Sequence, residues 1–318
     1  MKIKSLILIF LIPLLFVSCS ANTELHEMIS LENDEYMDII LYNTSTEILE
    51  ECKEKTKFYS KFFDREHSYE GMENIYSLNK KRDVTLSGEL VEALHFAESI
   101  LKNYASASLL AGGLNDLWDT AYVEKTIPTS ENIDKELDII SSSKLEYEDN
   151  RVSIIGEASL DLDFMKRGFI LSKLKSYLLS EGVTEYIINY SSRSIIYGKN
   201  PGKKYFKSSF YGIKNGYYKM EDMAMSCLGA DLIVWYSPEG YRFTNVPSCS
   251  TGIPYDGYEK LFVFSKDSLL SDILAYAFFN MKLEEIQKEE VSKEVYTMMY
   301  KDLSLVYRNS YLTELMID

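Results

Sequence analysis

Residues 158–182 read ASLDLDFMKRGFILSKLKSYLLSEG and change periodicity once within the stretch. The first five residues, Ala158 to Leu162, have the composition of a strand. From about Phe164 to Ser180, apolar residues recur every three or four positions, which predicts a helix. Gly182 stands where a C-terminal capping glycine belongs. The stretch therefore predicts a strand followed directly by an amphipathic helix.

Further strands are predicted on both sides of this stretch from their β-branched and aromatic content. They cover residues 37–42, 152–155, 186–190, 261–265 and, near the end of the chain, 303–307. Residues 193–246 are rich in Tyr, Phe, Ile and Val, with turn signals such as Asn200-Pro201-Gly202. We expect this region to form hairpins, with one helix near Met220–Cys227.

Helices are predicted between these strands. Thr44-x-x-Glu47 resembles a capping box and opens the first helix. Ser87 caps a second, whose apolar stripe runs to Tyr104, and a long helix is predicted from Ser268 to about Glu290. Mixed helix and strand with an antiparallel-looking centre indicates an α+β fold.

The N-terminus has the organisation of a bacterial export signal. Lys2 and Lys4 precede an apolar run from Leu6 to Val17, which is shorter than the about 20 residues that a membrane-spanning helix needs. Phe16-Val17-Ser18-Cys19 resembles the lipobox of bacterial lipoproteins. The resemblance implies that residues 1–18 are a signal peptide and that Cys19 carries a lipid. We expect residues 19–34 to form a flexible tether and residues 35–318 to form one domain; ordinary secretion without a lipid is the alternative.

The charge of the chain excludes one class of partner. The 318 residues carry a net charge of −15, and removal of residues 1–18 takes away Lys2 and Lys4 without any acidic residue, which gives −17. A strongly acidic surface repels nucleic acid phosphates, so we expect no nucleic acid partner. Contact with the membrane is expected only through the lipid anchor.

Cysteine and histidine usage argues against a zinc site. After Cys19, the chain contains Cys52, Cys227 and Cys249, none in CxxC spacing, and it has only three histidines. Cys227 and Cys249 either pair in a disulfide or remain inert thiols. The P-loop pattern and the G-x-S-x-G motif of serine hydrolases are both absent from the sequence.

Several segments, in order, resemble the ApbE family, the exported FAD:protein FMN transferases. The run DLDFMKRGF (161–169) is similar to the family's D-L-G-A-I-A-K-G-Y, and GGLNDLW (112–118) to G-P-L-V-x-L-W. Ile75, Leu78 and Asn79 match S-x-I-x-x-L-N. Four shorter runs also match: NYSSR (189–193) with N-x-G-G-D, AMSC (224–227) with A-T-S-G, TGIP (251–254) with T-G-Y-P, and SDILAY (271–276) with A-D-A-L-A-T.

The resemblance implies a fold, a reaction and a cofactor. The fold would be an ApbE-like, T-fold-related single domain with a mixed, mainly antiparallel sheet and packed helices. The reaction would cleave the pyrophosphate of FAD and move FMN onto a Ser or Thr of an exported acceptor protein of a redox complex. A divalent metal, Mg²⁺, would neutralise and orient the phosphates. The expected location is the outer face of the cytoplasmic membrane, or the outer membrane or cell surface.

The resemblance also implies site residues. The metal ligands would be the side chains of Asp272 and Tyr276 and the backbone carbonyl of Phe164, with Asp272 also the expected catalytic residue. The expected flavin-binding set is Asn79, Gly112, Asp161, Arg167, Ser226, Thr251 and Gly252. Each has a structural alternative: a turn for the glycines, a cap or ion pair for the carboxylates, and a loop hydrogen bond for Asn79.

Several positions depart from the family pattern. Tyr276 replaces the ligand Thr, Thr244 and Asn245 replace two histidines, and Ser191-Ser192-Arg193 replaces Gly-Gly-Asp. Asp163 adds a carboxylate that would repel a pyrophosphate unless a metal were bound there. Three functions therefore remain open: a Mg²⁺-dependent FMN transferase, a non-catalytic lipoprotein that binds flavin or another ligand, and a surface lipoprotein for protein interaction.

Overall fold

An eight-stranded antiparallel sheet forms the centre of the computed structural model, which describes residues 23–31, 35–210, 216–229, 234–237, 240–244 and 246–317. The predicted signal peptide, Cys19 and Asn245 lie outside the described residues. None of the described helices is long and apolar enough to cross a membrane.

The strands of the described chain are, in order, β1 (Glu24–Ser30), β2 (Tyr36–Tyr42), β3 (Asp83–Thr85), β4 (Lys144–Glu148), β5 (Arg151–Ile155), β6 (Tyr186–Tyr190), β7 (Ser194–Tyr197), β8 (Phe206–Ser208), β9 (Tyr217–Met220), β10 (Met223–Gly229), β11 (Val234–Tyr236), β12 (Arg242–Thr244), β13 (Lys260–Ser265), β14 (Tyr296–Lys301), β15 (Ser304–Arg308) and β16 (Met316–Ile317). The central sheet has the order β1-β2-β6-β7-β10-β13-β14-β15. Smaller sheets pair β3-β5-β4, β16-β9-β8 and β11-β12.

The helices are α1 (Thr46–Ser60), followed by a 3₁₀ turn (Lys61–Phe63), α2 (Ile75–Lys81), α3 (Gly88–Leu101), α4 (Gly112–Glu124), α5 (Ser130–Ser142), α6 (Asp163–Ser180), α7 (Ser268–Phe279), α8 (Leu283–Lys293) and α9 (Ser310–Glu314). The predicted helix over 164–180 is thus confirmed, and Gly182 follows it with a φ of +76°. The α+β class with a mainly antiparallel sheet is also confirmed.

Both faces of the central sheet are covered. In β13, Leu261 and Val263 pack into the main core with the helices, whereas Phe262 and Phe264 pack into a second core on the other face. This alternation follows from the two-residue period of a strand. The second core also contains Tyr218 of β9 and other side chains of the small β16-β9-β8 sheet and α9.

Helix α7 lies against the main face of the sheet and is buried along almost its whole length. Helix α6 packs on α7, and α1 packs on α6 through aromatic side chains. Tyr59 meets Phe169 edge to face, with ring centroids 5.6 Å apart, and Phe63 lies 5.2 Å from the same ring. Edge-to-face contacts of this kind add about 0.5–1.5 kcal/mol beyond the area they bury.

Two sequence predictions were wrong because the local composition of these segments does not show which other segments they hydrogen-bond to. The helix predicted near Met220–Cys227 is strand β10, which is apolar on successive residues because both sheet faces are covered. The strand predicted at 158–162 is a loop. The backbone N–H and C=O groups of this loop form hydrogen bonds with the Asn79 side chain and with the backbone of Leu109 and Gly112, and not with a neighbouring strand.

Other boundaries also differ from prediction. The helix predicted from Ser268 to Glu290 is two helices: α7 ends at Phe279, the Asn280 side chain accepts a hydrogen bond from Tyr255 N–H (3.0 Å), and α8 begins at Leu283. The first helix begins at Thr46, with Ser45 at its N-cap. The predicted tether 19–34 contains β1, which pairs with β2 over seven residues, so that part is not a flexible segment.

Candidate flavin site

A cavity of about 1060 Å³ opens where α1, α6 and the ends of β2, β6 and β10 meet. Its volume lies just above the usual range for small-molecule sites, about 300–1,000 Å³. Asp161, Phe164, Arg167 and Tyr276, four of the predicted site residues, line it. The structure therefore brings part of the predicted set into one place.

Gly168 sets the distance between α6 and α7. A Cβ atom at this position would lie 2.3 Å from the Ser268 carbonyl oxygen and 2.8 Å from the Asp272 carboxylate. The absence of a side chain lets the Gly168 N–H donate to Asp272 Oδ2 (2.5 Å) and its carbonyl accept from Ser268 Oγ (2.8 Å). Gly168, which belongs to the run that resembles the ApbE motif, thus allows α6 and α7 to pack closely.

Asp272, the predicted metal ligand and catalytic residue, is buried behind the cavity. Its Oδ1 accepts from Ser194 Oγ (2.6 Å) and from Ser226 Oγ, and its Oδ2 accepts from Gly168. Burial raises the pKa of Asp272, although the Arg167 charge and these hydrogen bonds act in the opposite direction. Ser226, predicted to bind flavin, is buried in this network. Both carboxylate oxygens therefore already have donors.

Tyr276 and Phe164 form an aromatic wall of the cavity. Their rings stack with centroids 4.2 Å apart and planes 15° apart. The Tyr276 phenol oxygen is buried without a hydrogen bond of normal geometry; its polar neighbours are the Cys249 thiol and Asn115. Burial raises the pKa of Tyr276 well above its ordinary value. The ring thus contributes an apolar surface where the family pattern has a ligand hydroxyl.

The predicted Mg²⁺ ligands do not fit the ion as they stand. Mg²⁺ requires oxygen ligands in near-octahedral geometry. The oxygens of Asp272 are taken by three donors, and the phenol of Tyr276 belongs to a stacked pair. Across the described residues, no group of three or more His, Cys, Asp or Glu side chains is arranged to hold a metal.

Asp161 lies at the edge of the cavity in a polar network. Its Oδ2 accepts from Arg65 Nη1 (3.0 Å) and Asn115 Nδ2 (2.9 Å), and its Oδ1 accepts from the Asp163 N–H (3.1 Å). Arg65 also donates to Asp116 (3.0 Å). Asp161 is therefore an ion-paired side chain that fixes the start of α6 relative to the 3₁₀ turn and the loop after it.

Asn79 and Gly112 form hydrogen bonds with the backbone of the 158–162 loop. Asn79 Oδ1 accepts from Leu160 N–H (2.8 Å), and its Nδ2 donates to the Leu160 carbonyl (3.0 Å). The Gly112 N–H donates to the Ser159 carbonyl (2.9 Å), and a Cβ there would come within 2.8 Å of that oxygen. Both residues position Asp161 without lining the cavity.

Thr251 and Gly252 lie in a loop away from the cavity. Gly252 has a φ of +69°, and its carbonyl accepts from Trp118 Nε1 (2.7 Å). A Cβ at Gly252 would lie 2.1 Å from Ile133. Thr251 is exposed and bonds within its own turn to Ile253 (3.3 Å). In this structure, the two residues serve the turn and do not line the cavity.

An ionic cluster surrounds Arg167 in the cavity wall. Glu35 accepts from Arg167 Nη1 (2.8 Å) and pairs with Lys166 Nζ (2.8 Å), and Asp163 lies 3.0 Å from Lys166 and 3.6 Å from Arg167. Burial opposes the charge of Lys166, but the Asp163 and Glu35 carboxylates raise its pKa above the ordinary value. Two cations and two carboxylates thus compensate one another.

Arg193 lines the same cavity but, unlike Lys166 and Arg167, is not paired with a carboxylate of the described chain. Among the described residues, it forms no side-chain hydrogen bond or ion pair within 4 Å. Burial and the nearby Arg167 charge lower its pKa, against the attraction of Asp163 and Glu35. Arg193 and Asp163 were already visible in the sequence as departures from the family pattern. Glu35 and Arg65 carried no local signal, because they reach the cavity from elsewhere in the fold.

Comparison with known proteins decides the family. The sequence profile described as "ApbE family" matches residues 34–296, which is most of the chain. The chain belongs to the ApbE family. A comparison with curated protein sequences gave no significant match.

Solved structures of ApbE proteins share the fold. The ApbE protein from Thermotoga maritima superposes with a TM-score of 0.76 at 17% identity, covering 93% of this chain and 100% of the other. The flavin transferase ApbE from Vibrio cholerae gives 0.72 at 15% identity over 93% and 100% of the two chains. The apo flavinyl transferase ApbE from Pseudomonas stutzeri gives 0.76 at 12% identity over 93% and 98%. These low identities establish the fold alone.

Cys227 and Cys249, for which a disulfide was one alternative, are not disulfide-bonded within the described chain, and neither is the buried Cys52. Burial raises the pKa of Cys52 to about 12 and that of Cys249 to about 11. At neutral pH these two groups are therefore thiols rather than thiolates. Neither is the activated nucleophile of a cysteine-dependent reaction, which requires a lowered pKa.

Proposed function

We propose that this chain is a divergent flavin transferase that binds FAD in the cavity between α1 and α6 and transfers FMN to a Ser or Thr of an exported acceptor protein. The observation that carries the proposal is the cavity itself, which combines aromatic walls with cationic side chains in an ApbE fold. FAD has a planar ring system, which can pack against aromatic side chains, and a pyrophosphate, which can bind cationic side chains.

The transfer must exchange one phosphoester bond for another. The acceptor hydroxyl oxygen would form a bond to the FMN phosphorus, the bond from that phosphorus to the bridging oxygen would break, and AMP would leave with the bridging oxygen. The acceptor hydroxyl loses its proton in this exchange. The resemblance implies that Mg²⁺ assists this reaction in the family; because the residues at the predicted position do not fit the ion, we assign no step to it.

His67 is the group that we assign to accept this proton. It lines the cavity, and its Nδ1 lies 3.2 Å from Asp64 Oδ2, so the carboxylate can orient the imidazole. Asp64 is itself fixed by the Tyr69 hydroxyl (2.6 Å) and by the N–H of Glu66 (2.7 Å). Histidine is the side chain that most often serves as a general acid or base in enzymes.

The second candidate function is binding of FAD without cleavage. It is favoured by one observation: the oxygens of Asp272 already accept three hydrogen bonds, and the other two residues predicted to supply metal ligands, Phe164 and Tyr276, stack on each other. In this case the protein would hold a flavin outside the cytoplasm. We further propose that it is anchored there by a lipid on Cys19, at the outer face of the cytoplasmic membrane or at the outer membrane or cell surface.

Incubation of the purified protein with FAD separates the two functions. Free and bound FAD, FMN and AMP would be resolved by chromatography, in the presence of a Thr-containing acceptor peptide, with EDTA and with Mg²⁺, for the natural chain and for His67→Gln. Release of AMP that is lost in His67→Gln, with FAD binding retained, is expected for the transferase. Bound but intact FAD in every sample would establish the binding protein, and no FAD binding would overturn both.

A further inference from the structure

The pyrophosphate of FAD needs positive charge wherever it binds in this cavity. A buried anion without compensation is costly, and phosphate oxygens are held most strongly by charge-assisted hydrogen bonds. In the described cavity, Arg65 is engaged by Asp161 and Asp116, and Lys166 and Arg167 are engaged by Glu35 and Asp163. These cations have their countercharge already, as does Lys57, which pairs with Glu54 (3.0 Å). Lys61 also lines the cavity, and its Nζ lies over the Tyr69 ring, 5.2 Å from the centroid.

Arg193 is a cavity cation without a direct partner among the described residues. The charge of Arg167 repels the Arg193 guanidinium, and the carboxylates of Asp163 and Glu35 attract it without forming an ion pair with it. A guanidinium in this position favours an additional anion, and its planar fork matches two phosphate oxygens at once. An anion bound here would also be close to the charges of Lys166 and Arg167.

The backbone holds Arg193 in place. Residues Tyr190 to Arg193 form the turn between β6 and β7, in which the Arg193 N–H donates to the Tyr190 carbonyl (3.0 Å). Ser191 and Ser192, the two central residues of this turn, have φ values of 53° and 55°, the left-handed values that the central positions of a type I′ turn require. The Arg193 carbonyl accepts from the Cys227 N–H (2.6 Å).

The left-handed serines are supported by the start of β2. Ser191 Oγ accepts from the Tyr36 N–H (3.0 Å), and the Tyr36 hydroxyl lies 2.6 Å from Ser192 Oγ. The serines therefore keep a backbone conformation that favours glycine, and they add side-chain bonds that fix the turn. The base of the Arg193 side chain is thus placed before any ligand arrives.

We propose that Arg193 binds the pyrophosphate of FAD directly and that this cavity takes FAD without a divalent cation. The inference rests on the proposed function, because it names how the same cavity recognises its ligand. Arg193 here stands in for the charge that a metal would supply, at a site where the predicted metal ligands are hydrogen-bonded or stacked.

The test measures the dissociation constants of FAD and riboflavin in EDTA and in excess Mg²⁺. Variants are Arg193→Gln, Arg193→Lys and the control Arg151→Gln, which removes an exposed arginine paired with Asp83 away from the cavity. FAD affinity should be equal in EDTA and Mg²⁺ for the natural chain. Arg193→Gln should weaken FAD binding about 10- to 100-fold, as expected for the loss of a hydrogen bond to a charged group. Riboflavin affinity should be unchanged.

Arg193→Lys should recover part of the FAD affinity, because it restores the charge without the fork. A requirement for Mg²⁺, or equal effects of Arg193→Gln and Arg151→Gln, would overturn the inference while leaving FAD binding intact. Equal weakening of FAD and riboflavin would also overturn it, since it would indicate a distorted cavity. Absence of FAD binding in both conditions would overturn the proposed function and this inference with it.

Discussion

Gly168→Ala is expected to destabilise the protein by separating α6 from α7. The added Cβ would lie 2.3 Å from the Ser268 carbonyl oxygen, a backbone atom that cannot rotate away. Overpacking of this kind costs about 1–3 kcal/mol. The shift would also weaken the Gly168 N–H bond to the Asp272 carboxylate, a bond of a type worth about 1.5–3 kcal/mol.

The helix propensity of alanine opposes this loss of stability. Alanine is favoured over glycine within a helix by about 1 kcal/mol. We therefore expect the free energy of unfolding to fall by about 2–4 kcal/mol, given the overpacking and hydrogen-bond terms. Urea unfolding followed by circular dichroism measures this change, provided that the slope with denaturant stays constant.

Gly88→Ala is the matched control for this prediction. Gly88 is the first residue of α3, and a Cβ there would meet the Asn150 side chain at 3.6 Å, an ordinary contact. This variant should be neutral or more stable by up to about 1 kcal/mol. If Gly168→Ala were as stable as Gly88→Ala, the close crossing of α6 and α7 could not be what fixes Asp272.

Two further predictions concern Tyr276 and Cys52. Tyr276→Thr restores the family's residue type but should leave FAD binding independent of Mg²⁺. The reason is that Asp272 keeps its hydrogen bonds with Ser194, Ser226 and Gly168. An FAD affinity that rises with Mg²⁺ in titrations would contradict this. Cys52 should resist iodoacetamide at pH 8 in the folded protein, because a thiol with a pKa near 12 is only about 10⁻⁴ ionised there. Mass spectrometry of the labelled peptides measures this, with urea-unfolded protein as the reactive control.

The sequence predicted the elements whose periodicity was undisturbed. The helices α3 and α6 and the strands β2, β6 and β13 came from clear patterns. Strand β10 did not, because a strand covered on both faces is apolar throughout and loses its two-residue alternation. β1 was missed because its side chains are mostly exposed and it is held by backbone pairing with β2.

The site was predictable only where it coincides with local motifs. Asp161, Phe164 and Arg167 share one run, and that run starts α6 at the cavity. Glu35 and Arg65 are brought there by the pairing of β2 with β6 and by the loop after the 3₁₀ turn, so nothing in their neighbourhood identified them. The hydrogen bonds that occupy Asp272 depend on Ser194 and Ser226, which come from different strands.

Hydrogen–deuterium exchange with and without saturating FAD, in EDTA, tests the central claim most directly. The account predicts slower exchange in residues 63–69, 161–167 and 190–193, which surround the cavity, and no change in the paired strands β3 and β5, which do not line it. FAD that bound without protecting these segments, or that protected only others, would contradict the account.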